Sequence, residues 1–170
     1  MQPKDITFII PVYNRPQEIK ELLISFKNLQ GSKDFEIVIV EDGSNLDSKK
    51  IINFFKEELN ISYYFKDNSG PGDSRNFGMR KAKGNYFIIL DSDCILPEDY
   101  VLSLMSNLKN NYYDCFGGVD DSHKSFSNFQ KAVSFSMTSF ITTGHLRGGN
   151  NSKNFQPRSF NMGISKEAFN

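Results

Sequence analysis

Asn85-Tyr86-Phe87-Ile88-Ile89-Leu90-Asp91-Ser92-Asp93 is a short apolar run that ends in two carboxylates one residue apart. Tyr86 to Leu90 is apolar at every position, with Gly84 and Asn85 ahead of it, which predicts a strand covered on both faces. In an open α/β sheet ligands bind beyond the carboxyl ends of parallel strands, so Asp91 and Asp93 stand where a ligand is expected. In an extended segment residues i and i+2 project to one side about 6.6 Å apart, at roughly 3.3 Å rise per residue. At that spacing both acids face one object, but they do not both chelate a small ion tightly. Asp93, further out, is the expected direct metal ligand, with Asp91 acting through water or a hydroxyl. A hard cation, Mg²⁺ or Mn²⁺, suits one or two carboxylates and completes its shell with phosphates and water. The competing reading, that the acids are loop residues or caps of a helix starting near Pro97, is weakened because Leu96 intervenes.

The remainder of the chain extends this pattern in both directions. Thr7 to Ile10 is a first buried strand closed by Pro11, and after Val12-Tyr13-Asn14 a helix begins at Pro16 as a first-turn proline. Its apolar face is Ile19, Leu22, Leu23, Phe26 and Leu29. Phe35 to Val40 is a second strand ending in Glu41 and Asp42, and Gly43-Ser44 allow a tight turn. A helix from Ser48 to Leu59, carrying Ile51, Ile52, Phe54 and Phe55, leads to a third strand, Ile61 to Phe65. Asn68-Ser69-Gly70-Pro71-Gly72 breaks the chain, and Asp73 to Ala82 is a helix bearing Arg75, Arg80 and Lys81. Beyond Asp93, Pro97 to Leu108 is helical and Asp114 to Val119 a fifth strand. Such alternation predicts a doubly wound α/β domain, a mainly parallel sheet with helices on both faces.

The chain has 170 residues, 38% apolar and 24% charged, enough for one domain with a real core. Its 20 basic and 20 acidic residues cancel, so no overall field draws it to nucleic acid or an anionic membrane. There is no run of 18 apolar residues and no charged, then apolar, opening stretch. Cys94 and Cys115 lack C-x-x-C spacing and read as ordinary thiols, which favours a reducing, cytoplasmic setting. From Asp120 onward the composition turns aromatic and hydroxyl-rich, with a Gly-rich basic loop at Gly144 to Asn151. Phe160 to Ile164 reads as a strand and Ser165 to Phe169 as the start of a capped helix. The expected division is therefore 1–119, a nucleotide-binding α/β unit, and 120–170, the start of a further segment that continues past Asn170.

Four loops thus converge on one sheet edge: Pro11 to Asn14, Glu41 to Ser44, Gly70 to Asn76, and Asp91 to Asp93. Neither G-x-G-x-x-G after the first strand nor G-K-[ST] is present, which disfavours nicotinamide and P-loop chemistry. The P-x-Y-N loop, the acidic D-G-S loop and D-x-D, in this order, resemble the inverting family 2 glycosyltransferases of the GT-A fold. The likeness runs from Ile6 to Asp93, with an echo toward Phe169. It implies a nucleoside-diphosphate sugar donor, UDP-linked in the first instance, bound with Mn²⁺ or Mg²⁺. It places Pro11, Tyr13 and Asn14 beside the nucleotide, Tyr13 with its ring against a pyrimidine. Asp42 would accept from uracil N3, with Glu41 beside it. Arg75 would stand at the pyrophosphate, and Asp91, Ser92 and Asp93 at the phosphates and metal. His145 and Arg147 would order over the pyrophosphate, and Asn161 would lie beneath sugar and acceptor.

The implied reaction is in-line attack by an acceptor hydroxyl on the anomeric carbon, with inversion, in polysaccharide biosynthesis or a related route. The acceptor is expected to be a carbohydrate or lipid-linked, which leaves open peripheral association of a parent protein with a membrane. No acid at the family's usual base position is found before Asn170; the general base is expected beyond it, and Asp120 and Asp121 are weak substitutes. Two alternatives stand beside this reading. One is a noncatalytic sugar-nucleotide-binding module. The other is a metal-dependent nucleotidyltransferase, which usually brings a basic Gly-rich loop after its first strand, unlike Pro11 to Arg15.

Overall fold

Every residue of Ile6–Val12, Glu36–Asp42 and Tyr86–Leu90 is buried, because these three strands occupy the middle of a sheet covered from both sides. The computed structural model describes residues 1–118 and 160–170. In chain order the elements are β1 (Ile6–Val12), α1 (Pro16–Lys27), β2 (Glu36–Asp42), α2 (Lys49–Phe55), β3 (Ile61–Lys66), α3 (Pro71–Lys81), β4 (Tyr86–Leu90), α4 (Tyr100–Asn110), β5 (Cys115–Gly117), β6 (Asn161–Ser165) and α5 (Lys166–Phe169). The strands lie in the order β3-β2-β1-β4-β6-β5. β1 to β4 are mutually parallel, and β6 alone runs the other way, between β4 and β5.

Side chains alternate across a strand with period two, and the two cores follow that parity. Ile6, Phe8 and Ile10, with Ile37, Ile39, Ile88 and Leu90, meet α1, α2 and α4 on one face. Ile9, Val38, Val40, Phe87 and Ile89 meet Met79 and Ala82 on the other, with Phe169 packed alongside. On the first face Phe8 is edge-on to Phe26 and Phe35, at 4.9 and 5.0 Å between centroids. On the second, α3 approaches so closely that a Cβ on Gly78 would stand 2.8 Å from Ile9 Cγ2. That close seat carries Arg75, three residues earlier in α3, toward the carboxyl edge of the sheet.

Several expected boundaries shift for physical reasons. Pro11 does not close β1 but lies within it, opposite Val40. β1 pairs with β4 only as far as Ile9↔Ile89, so the missing N–H of Pro11 falls outside the doubly flanked stretch. α2 ends at Phe55 and not at Leu59, and Phe54, within it, is 70% exposed. α4 begins at Tyr100 and not at Pro97, because the Glu98 carbonyl accepts the Gln30 N–H at 2.8 Å instead of a helical partner. The capped start at Ser165 is present: its Oγ accepts the Ala168 N–H at 3.1 Å. At the amino edge, the buried Glu36 accepts from Thr7 Oγ1, Ser62 Oγ and the Lys83 N–H, a structural acid that staples three strands and the end of α3.

Candidate functional site

β1, β2 and β4 end side by side, at Val12, Asp42 and Leu90, so the loops after them share one edge. Asn14 ties the first two together. It is the one non-glycine residue with positive φ among the described residues, at 54°, a conformation that asparagine tolerates. Its N–H donates to Ser44 Oγ at 2.8 Å, and its Oδ1 accepts the N–H groups of Asn45 and Leu46 at 2.8 and 3.0 Å. Pro11 is buried. Tyr13, between them, is held outward with half its surface exposed.

The acids that end β2 are part of the strand. Glu41 is fully buried and accepts from Ser44 Oγ, from the Ser48 N–H at 2.9 Å and from Tyr63 Oη at 3.4 Å. Burial, with the charge of Glu41 added, pushes the Tyr63 phenol up. Glu41 therefore organises the turn behind the site. Gly43 is left-handed, at φ 71°, and a Cβ there would meet the Asn68 nitrogen at 2.6 Å.

Asp42 faces the loop between β3 and α3. One oxygen accepts from Lys66 Nζ and the Ser69 N–H at 3.0 Å, the other from the Gly70 N–H at 2.9 Å. Burial raises its pKa, but Lys66 and the two amides outweigh burial, and the carboxyl sits below its ordinary value. A carboxylate depressed in the folded state stabilises above its unfolded pKa, about 3.9. That contribution is lost as pH falls through the lower, folded value. The native chain is thus expected to lose stability to urea steeply below about pH 4, and Asp42→Asn to show a shallower slope there.

The β4 end departs from the extended geometry expected of it. The Asp91 carbonyl accepts the Cys94 N–H at 3.3 Å, so Ser92 and Asp93 form the corner of a tight turn, and the about 6.6 Å spacing of an extended strand does not apply. Each acid holds a guanidinium: Asp91 Oδ1 with Arg75 Nη2 at 2.7 Å, Asp93 Oδ2 with Arg15 Nη1 at 2.8 Å. Arg75 is 17% exposed at its side chain against 57% for Arg80, which separates it from the solvated face of α3. Its Nε and the Ser74 Oγ are buried without a hydrogen-bond partner in the described structure. The Ser74 hydroxyl also favours the ionised carboxyl of Asp42.

Asn161 opens β6 opposite Leu90, next to the same edge. Its Oδ1 accepts the Tyr100 hydroxyl at 2.7 Å and its carbonyl the Gly118 N–H at 2.7 Å. Burial raises the Tyr100 phenol pKa. The structure thus gathers Pro11, Tyr13, Asn14, Glu41, Asp42, Arg75, Asp91, Ser92, Asp93 and Asn161 at or just behind one edge. His145, Arg147, Asp120 and Asp121 lie outside the described residues. Arg15 and Lys66 escape the sequence reading and Tyr100 reads only as part of a helix's apolar face, since nothing in a lone basic or aromatic residue marks its distant partner.

Among the described residues no three His, Cys, Asp or Glu side chains form a ready metal cage. A cation here would draw on Asp91 and Asp93, whose side chains are 39% and 55% exposed and already hold positive groups. Two hard oxygen donors open to solvent fit Mg²⁺ or Mn²⁺ with phosphate and water completing the shell.

Sheet order, helices on both faces and acids at the carboxyl edge define an α/β fold of the nucleotide-diphospho-sugar transferase type, GT-A. The Staphylococcus aureus TarS 1-349 structure in complex with UDP-GlcNAc superposes with a TM-score of 0.67 and 25% identity, over 72% of this chain and 36% of that one. A mannosyltransferase from Pyrobaculum calidifontis, in complex with GDP-Man and Mn²⁺, shares the fold at TM-score 0.63 and 22% identity, over 69% and 36% of the two chains. An uncharacterized glycosyltransferase of Rickettsia bellii is 40% identical over 88 residues, 52% of this chain and 13% of that protein. The chain belongs to glycosyl transferase family 2, whose family model matches residues 7–169. It spans only 13–18% of the first curated relatives it matches. No described helix is long and apolar enough to cross a membrane.

Proposed function

We propose that this chain is the donor-binding part of an inverting, metal-dependent glycosyltransferase that takes its sugar from a UDP-linked donor. The observation that supports this most is the meeting, at one sheet edge, of Tyr13 after β1, Asp42 at the end of β2, Arg75 in α3, and Asp91 and Asp93 after β4. Tyr13 offers an exposed ring on which a base stacks. Asp42, held as an anion by Lys66 and the Ser69 and Gly70 amides, accepts from uracil N3–H. Arg75, whose guanidinium reaches Asp91 at the same edge, is suited to contact an oxygen-rich ligand such as a diphosphate.

Asp93, at the turn corner, and Asp91, behind it, would hold Mn²⁺ or Mg²⁺. When bound, the ion neutralises charge that grows on the leaving diphosphate. The loops orient the donor so that an acceptor hydroxyl, of a carbohydrate or a lipid-linked acceptor, attacks in line. Asn161, fixed by Tyr100, lies at the sugar side of the edge, with His145 and Arg147 assigned to cover the pyrophosphate. The hydroxyl proton passes to a carboxylate outside the described residues.

Calorimetric titration of the chain with UDP and then GDP, at saturating Mn²⁺, tests the donor. UDP is expected to bind at least about tenfold tighter, one or two base-edge hydrogen bonds to a charged group. Equal affinities would remove the base-reading role of Asp42.

A further inference from the structure

Arg15 sits between Asn14 and the first turn of α1, and crosses to Asp93 in the β4 turn at 2.8 Å. The two are 78 positions apart in the chain, and their side chains are 48% and 55% exposed. With Arg75 on Asp91, two carboxylates face two guanidiniums. A free divalent cation therefore meets a site whose negative charge is already matched. So exposed a pair is held weakly, because water screens it and two long side chains lose freedom in forming it. A diphosphate is the stronger partner for a guanidinium, with more charge and several oxygens for its planar fork.

Resting on the donor site proposed above, we infer that Arg15 exchanges partners: it pairs with Asp93, as in the structure, until a divalent cation takes Asp93, and then turns to the donor diphosphate. Arg15 is then a donor-binding residue. It also sets the order of binding. A cation alone must displace the guanidinium and leave it without an anion, whereas a cation and a diphosphate together supply one.

Two titrations separate these effects in the native chain, Arg15→Gln and Arg15→Lys: Mn²⁺ alone, followed by the electron paramagnetic resonance of free ion, and UDP at saturating Mn²⁺, by calorimetry. Arg15→Gln is expected to bind Mn²⁺ alone about threefold tighter, the scale of an exposed ion pair. It is expected to bind UDP about tenfold more weakly, the scale of one charge-assisted contact. Arg15→Lys keeps the charge without the fork, so Mn²⁺ alone stays near native while UDP binding falls between the other two. Arg80→Gln, which removes an exposed charge paired at 4.0 Å with Asp73, is expected to match the native chain in both. Shifts of opposite sign in Arg15→Gln support the exchange. If the native chain binds UDP with Mn²⁺ and either titration of Arg15→Gln is unchanged, or Arg80→Gln shifts alike, the exchange is wrong and the donor site stands. If the native chain binds no UDP, the donor site and the exchange fall together.

Discussion

Replacing Glu41 by alanine is expected to destabilise the fold by about 3 kcal/mol, from one unsatisfied buried donor at 1–3 kcal/mol plus the cavity left behind. Glu41 is fully buried at the end of β2, where its oxygens take the Ser48 N–H, the Ser44 hydroxyl and Tyr63 Oη. Water does not reach Ser48 to replace the lost acceptor, since that residue too has no exposed surface. Glutamine keeps the volume but turns an NH₂ toward a donor, so Glu41→Gln is expected to cost a large share of the same amount. For a chain of this size the alanine change lowers the melting temperature by roughly 6–12 °C. Thermal and urea unfolding followed by circular dichroism measure it; a change under about 0.5 kcal/mol, the size of an ordinary surface substitution, would mean that Glu41 does not organise the turn. The effect reaches the site as well, because Ser44 is the anchor of Asn14 and hence of Tyr13.

The strands were legible because their burial on both faces writes itself as unbroken apolar runs. Tyr86 to Leu90 is such a run, and its odd and even members divide between the two cores. The carboxyl-edge acids were legible for the opposite reason: Asp42 ends one apolar run and Asp91 directly follows another, where charge has no packing role. Pairings across the chain were not. Asp42 and Lys66 lie 24 positions apart and Arg15 and Asp93 lie 78 apart; neither spacing carries a period. The turn at Asp91 to Cys94 was hidden too, because an extended continuation and a tight turn suit the same residues. Phe160 to Ile164 read as a strand, but its place between β4 and β5 depends on antiparallel pairing with Tyr86–Leu90, which local pattern does not encode. Pro11 misled because proline closes most strands, while here only one side of β1 is flanked at that level.

The second large effect concerns Asp93. Asp93, which pairs with Arg15 in the structure, is proposed as the residue that would bind the cation directly. Substitution by alanine removes that oxygen without touching the core, since the side chain is 55% exposed, so stability is expected to move by less than about 0.5 kcal/mol. Nucleotide binding is expected to fall by more than about tenfold, a scale that even outer-shell changes at metal sites reach. The most direct measurement is calorimetric titration of UDP into the native chain and Asp93→Ala, each with Mn²⁺ and with chelator. The expected result is tight binding by the native chain only with Mn²⁺, and loss of that Mn²⁺-dependent part in Asp93→Ala. Native affinity for UDP in Asp93→Ala with Mn²⁺ present, from a chain that folds normally, would contradict it.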